Sequence, residues 1–324
     1  MKCCGIIEPT SMLSRNIEHV RVAVLLLVVV LLAGCVDRTP SPAASNTSFI
    51  TPDPRVERLH TATTKVEPFF QPMGQPQPSD WLTAFHEPGQ TFDEYIASEP
   101  TLPTGARQKI YVLPLGKFGA EQTKVINIAA GYLEAFYGLP ITIMNRRPLD
   151  AVYPNARYNN LMHVRQVQTG YLLNAVLPPL LPPDGAVLIA FTDQDLYPDE
   201  TMNYVFGQAS LEKRVGVWSL YRLNERAGFD QFLHRTLKIA AHETGHMFSM
   251  KHCIEYECVM SGTNHLGETD RRPIDVCPEC MGKVCWMSKV EPGERYKRLA
   301  EFCHKNGLKK DAAEFKKKAA AVSE

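Results

Sequence analysis

His242-Glu243-Thr244-Gly245-His246 is a spacing with a chemical consequence. On a helix, two imidazoles four residues apart stand one turn above each other and can reach a single cation. Glu243 lies about 100° round from His242 and about 60° from His246, at 3.6 residues per turn. It therefore flanks such a cation without competing for it, where a carboxylate can take a proton from activated water. Neutral imidazoles leave zinc its full charge, which draws the pKa of water toward neutrality. A working site needs a third protein ligand and an open fourth position. His252 follows His242 by ten residues, too far round for one straight helix, so the helix must end near residue 249 and the chain must turn back. His265, Glu268 and Asp270 compete for the same role. The five-residue pattern is short and recurs by chance, so its context has to carry the weight.

A second cluster follows at once. Of nine cysteines, three lie at or before residue 35, none between 36 and 252, and six between 253 and 303. Cys253, Cys258, Cys277 and Cys280 read as C-x4-C followed by C-x2-C. Two close pairs with a loop between them suit tetrahedral zinc, each pair gripping adjacent corners. Because Cys253 adjoins His252, that site would anchor the loop carrying the third histidine. Disulfides are the alternative, open to any exported chain. Cys285 and Cys303 fit no ligand pattern and read as buried thiols or a disulfide pair.

These groups need a scaffold, and the chain alternates strand and helix. Residues 109–115 (KIYVLPL) form a compact apolar strand, and 121–137 carry apolar residues at helical spacing. Residues 139–144 make a second strand. The span 158–177 is expected to be helical, stopped by Pro178-Pro179, while 185–192 (GAVLIAFT) and 214–222 are further strands. A long amphipathic helix from about Asp230 into Ser249 carries the histidines. The fold class is α/β, a sandwich on a mixed sheet. Asp193, Asp195 and Tyr197 follow a buried strand and read as structural turn residues. His234 reads as a partnered structural histidine. From Glu294 two short helices are expected, separated by Asn306-Gly307, and from Lys283 onward 11 Lys/Arg face 6 Asp/Glu on a solvated helical surface.

With 35 basic and 35 acidic residues among 324, and a pI near 7.1, bulk electrostatic binding of nucleic acid is excluded as an expectation. Thirteen apolar or small residues from Val22 to Gly34 follow Lys2, Arg15 and Arg21. That run is short for a membrane span, which needs about 20 residues, and suits a signal peptide. Its end, Leu32-Ala33-Gly34-Cys35, resembles the bacterial lipobox, which implies a lipidated Cys35 and an exported lipoprotein of the cell envelope. Eight prolines fall between 36 and 80, a composition that reads as an extended membrane tether with no regular helix.

HETGHMFSMKHC resembles the extended metzincin motif of the archaemetzincins, in which a cysteine follows the third histidine. The cysteine spacing, Val259-Met260, and the segments 80–96, 110–118, 192–209 and 217–223 are also similar to that family, over roughly residues 80–310. The resemblance implies a metzincin-like zincin fold: a mixed twisted sheet, an active-site helix and a smaller, zinc-stapled helical C-terminal part. It implies one catalytic zinc on His242, His246 and His252, Glu243 as general base, Met260 as the Met-turn, and one structural zinc on Cys253, Cys258, Cys277 and Cys280. It also implies a peptide or protein substrate, pairing with an edge strand supplied by 204–209. A monomer is expected. The expected organisation is a signal peptide (1–34), a tether (35–79), the peptidase domain (80–310) and a basic helical tail (311–324). The alternative function is a catalytically weak, zinc-folded lipoprotein that captures peptides. One departure stands out, Ser249 where the family has a glycine that turns left-handed after the helix. Either serine accepts that conformation or the turn uses other dihedrals. Gly245, inside the helix, points to close packing of a neighbour.

Overall fold

The structure is a computed structural model that describes residues 4–6, 53–149 and 156–323. Uninterrupted apolar runs build the centre. Strand β1 is Cys4–Ile6, β2 Lys109–Leu115, β3 Ile141–Ile143, β4 Ala156–Asn159, β5 Val164–Gln168, β6 Gly185–Thr192, β7 Asp195–Tyr197, β8 Gly207–Ser210 and β9 Val215–Ser219. The main sheet runs β1-β8-β9-β6-β2-β3, and a smaller one runs β4-β5-β7. Strands β3, β2, β6 and β9 are parallel neighbours, and β8 reverses direction against β9, giving a mixed sheet.

Every residue of β6 is buried, as a parallel strand covered on both faces requires. Alternation then sorts the two faces. Ile110, Val112, Val187, Ile189, Phe191 and Trp218 face the larger core, which contains α4 (Ala120–Tyr137) and α6 (Phe229–Met247). Leu113, Leu115, Leu188, Ala190, Val215 and Val217 face a smaller one with Leu172, Leu173 and Leu177. The Trp218 indole also donates to the Ile239 carbonyl at 3.0 Å, fixing α6 on the sheet. α6 is thus held along one side before its ligands are considered.

Four expectations need correction. Residues 158–177 are not one helix: β4 and β5 form an antiparallel hairpin, and only a short turn α5 (Thr169–Tyr171) with a wider coil at Leu172–Val176 is helical. The β-branched Val164 and Val167 are buried on one strand, so tertiary pairing overrides the apparent helical spacing.

The tether does not extend to residue 79. Helix α1 (Pro54–Val66) buries Leu59 and Val66 in the main core. Its one proline occupies the first turn, where a missing N–H costs nothing, and the next, Pro68, lies beyond its end. Gln71–Met73 then pair with Glu255–Glu257 through Met73 N to Glu255 O at 2.8 Å and Glu257 N to Gln71 O at 2.9 Å. Of the expected tether and signal, residues 1–3 and 7–52, Cys35 included, lie outside the described residues.

Strand β8 is not an edge in the full chain either, because β1 lies parallel beside it, Cys4 opposite Gly207; the expected cleavage before Cys35 would remove β1 and leave β8 as an edge. The last correction is at the C-terminus. Two helices separated by Asn306-Gly307 occur as expected, α9 (Pro292–Lys305) and α10 (Lys309–Ala321), but α10 is part of the packed unit. Its Lys318 donates to Asp275 at 2.8 Å, and both are buried. The remaining helices are α2 (Trp81–Ala84), α3 (Phe92–Ala97), α7 (Leu266–Arg271) and α8 (Pro278–Ser288). Among the described residues no helix is long and apolar enough to cross a membrane.

Candidate metal centre

Helix α6 ends where the histidine spacing requires. Met250 N donates to Gly245 O at 3.0 Å and Ser249 N to His246 O at 2.8 Å, the paired bonds of a Schellman stop. Ser249 takes the left-handed residue at φ 65°, so serine accepts the conformation usually given to glycine. Its hydroxyl receives the Thr101 amide at 3.0 Å, and the Phe248 carbonyl receives the Tyr95 hydroxyl at 2.8 Å. The chain then reverses and brings His252 back beside the helix.

His242, His246 and His252 are all buried, and one nitrogen of each lies within 4.8 Å of the other two. Their outer nitrogens are committed. His242 Nδ1 meets the Val259 carbonyl at 2.8 Å, and His246 Nδ1 meets the Met250 carbonyl at 2.6 Å. His252 Nδ1 meets both oxygens of Glu87, at 2.9 and 2.8 Å. Carbonyls and a carboxylate only accept, so each Nδ1 carries the proton and each Nε2 keeps its lone pair.

Burial, then the neighbouring His252, pulls the His242 pKa down to about 3, and burial holds His246 well below the usual range. Both are neutral donors at pH 7. The His242 and His246 Nε2 atoms are 2.9 Å apart. Ligands at about 2.0–2.1 Å from tetrahedral zinc would be separated by about 3.3 Å, so the nest fits that ion. Glu243 is buried on the same helix. Burial pushes the Glu87 carboxyl up, but its hydrogen bonds, that with His252 first, win and hold it below its ordinary value.

The other proposed third ligands go elsewhere. Asp270 forms a two-pronged pair with Arg235 of α6 at 2.8 and 2.7 Å. His265 caps α7 by accepting the Glu268 amide at 3.1 Å. Glu268 pairs with Arg272, and Asp80 beside it pairs with Arg271. Two guanidinium groups already neutralise that acidic cluster.

Cys253, Cys258, Cys277 and Cys280 converge within 4.8 Å, all buried and none in a disulfide. The Cys253 and Cys277 sulfurs are 3.6 Å apart, against about 3.8 Å for thiolates at about 2.3 Å from tetrahedral zinc. Cys258 Sγ accepts the amides of Met260 at 3.3 Å and Cys277 at 3.2 Å. Hydrogen bonds from the three other sulfurs lower the Cys253 pKa, while burial raises those of Cys258 and Cys277. Four buried sulfurs this close together suit a cation. Cys285 and Cys303 are free buried thiols with pKa values raised by burial, Cys285 to about 12.

Sequence reasoning missed Glu87. It stands 165 residues before His252, and no local spacing connects the two. Met260 lies directly under α6, against Gly245.

The comparisons with known proteins point to one family. The model for peptidase family M54 matches residues 183–285. Archaemetzincin-2 of Pongo abelii is 31% identical over 280 residues, covering 75% of this chain and 77% of that protein. Archaemetzincin of Archaeoglobus fulgidus is 29% identical over 179 residues, 54% of this chain and 98% of the relative. A crystal structure of archaemetzincin from Archaeoglobus fulgidus, complexed with malonate, covers 54% of this chain and 99% of its own, at 29% identity and a TM-score of 0.44. The chain is a zinc-dependent metallopeptidase acting on peptide or protein substrates. It belongs to the archaemetzincins.

Proposed function

We propose that His242, His246 and His252 hold a catalytic zinc, that Glu243 is the general base for peptide-bond hydrolysis, and that the four cysteines hold a second, structural zinc. The observation that carries this reading is the commitment of all three Nδ1 atoms, which leaves three Nε2 lone pairs pointing into one buried nest. Zinc bound there supplies charge that acidifies water and polarises the scissile carbonyl. Glu243 accepts a proton from that water on its carboxylate and passes it to the departing amine. His242 and His246 remain neutral throughout, because burial opposes their protonation.

Full-length protein with two zinc ions per chain, assayed on a peptide library, tests the assignment. Glu243→Gln should abolish cleavage, by at least about 100-fold, with both metals retained. Cleavage unaffected by that change would sink Glu243 as the base. We also place the chain on the exported face of a membrane through a lipidated Cys35; support for this is the apolar run ending Leu32-Ala33-Gly34-Cys35. Radiolabelled fatty acid should enter the parent protein and not Cys35→Ser.

A further inference from the structure

His242 and His246 are aimed by the helix on which they sit, but His252 is not. It lies six residues past His246, beyond a left-handed residue, in chain without repeating backbone bonds. Something outside α6 must fix its ring. Residues 81–101 do this on three sides. Trp81 packs edge-on to the His252 ring, with centroids 5.2 Å apart. Gln90 brackets the backbone before it, donating to Ser249 O at 3.4 Å and accepting Lys251 N at 3.1 Å. Lys283 of α8 in turn donates to the Gln90 carbonyl, so the bracket is tied to the zinc-stapled part. Glu87 grips the ring itself with both oxygens, while His252 Nε2 is buried and has no hydrogen-bond partner among the described residues.

We propose that Glu87 is the positioning residue of the third metal ligand, fixing the tautomer and orientation of His252 and making it the most electron-rich of the three imidazoles. The Nδ1 partners of the ligands support this: those of His242 and His246 are neutral backbone carbonyls, and that of His252 is a carboxylate. A carboxylate behind an imidazole raises ligand basicity, and loss of such a partner typically weakens metal binding about 10–100-fold. The site is therefore asymmetric, with two ligands preset by a helix and one set by an acid from a distant segment. Glu87 touches no reacting atom and acts through His252.

The inference rests on the three-histidine reading, so the test separates the two. Full-length protein is loaded with cobalt(II), whose visible bands report the geometry of the histidine site and whose sulfur charge-transfer bands report the cysteine site. Affinity at each site is read by titration with a chelator. Glu87→Ala should weaken the histidine site about 10–100-fold, shift its visible bands and lower kcat with little change in KM, leaving the sulfur bands in place. Glu87→Gln retains an acceptor oxygen for Nδ1–H and should recover affinity to within several-fold of the parent, with the bands still displaced. Unchanged histidine-site affinity and bands in Glu87→Ala would overturn the role of Glu87. So would Glu87→Gln losing as much affinity as Glu87→Ala, because an uncharged acceptor would then position nothing. His246→Ala serves as the control: if it keeps the histidine-site metal, the three-histidine reading fails instead.

Discussion

The sulfur of Met260 occupies the space that a side chain at Gly245 would need. A β-carbon built on Gly245 would lie 2.6 Å from Met260 Sδ, 2.9 Å from its methyl and 3.3 Å from the Tyr137 hydroxyl. Met260 is fully buried and cannot swing into solvent. Its backbone also accepts from Cys253 N at 2.9 Å and donates to Cys258 Sγ at 3.3 Å. Any displacement of Met260 therefore reaches the residue after His252.

Gly245→Ala should accordingly harm the protein although alanine favours helices. The helix gain is about 1 kcal/mol, and overpacking a filled core costs about 1–3 kcal/mol. A net loss of up to about 2 kcal/mol is expected in urea unfolding, together with reduced turnover. A variant as stable and active as the parent would show that Met260 yields freely.

Ser249 carries opposing effects that substitutions can separate. Its φ of 65° costs a non-glycine residue roughly 1 kcal/mol. Its hydroxyl receives the Thr101 amide, a bond worth about 0.5–1.5 kcal/mol. Ser249→Gly removes both and should stay within about 1 kcal/mol of the parent, with activity retained. Ser249→Ala keeps the strain and loses the bond, and should be the less stable of the two in the same denaturant series.

One contact between the active-site helix and α10 depends on pH. His234 Nε2 lies 3.0 Å from Asp311, and its Nδ1 meets the Asp230 carbonyl at 2.7 Å. The bond to Asp311 raises the His234 pKa above 6.5, outweighing burial. A raised folded pKa means the contribution is fully present below the unfolded value and fades as pH rises through the folded one. His234→Gln should thus destabilise the protein more at pH 5.5 than at pH 9. Equal losses at both values, read from urea midpoints, would remove the charge from the explanation.

The motifs were legible because they are local. His242 and His246 declare themselves at one-turn spacing, and strands such as 185–192 stand out because every residue is buried. The long-range parts were not legible. Glu87 has no periodic relation to His252, and the 158–177 hairpin is decided by the pairing of β5 with β7, a partner 29 residues further on. Composition also misled: prolines at 52, 54 and 68 bracket a helix, and counting them without noting the clear interval between hid α1. Ser249 shows the converse. The need for a left-handed residue was readable, but the Thr101 amide that accompanies the serine was not.

Metal removal should be asymmetric between the two sites. The cysteine cluster supports the histidine site through two short links: Cys253 adjoins His252, and Cys258 Sγ receives the Met260 amide. The reverse effect should be smaller, because His242 and His246 are carried by α6, whose helical backbone does not depend on metal. Cys277→Ser removes one sulfur from a buried four-sulfur cluster, so the structural ion should be lost. The loop from 252 to 260 then loosens, and histidine-site affinity should fall at least about 10-fold, along with a lower melting temperature. His246→Ala should release only its own ion and leave the other in place. Zinc counted per chain by mass spectrometry under native conditions, with melting followed in parallel, distinguishes the cases. Cys277→Ser that retains full affinity at the histidines would mean that the two centres share a loop without sharing stability.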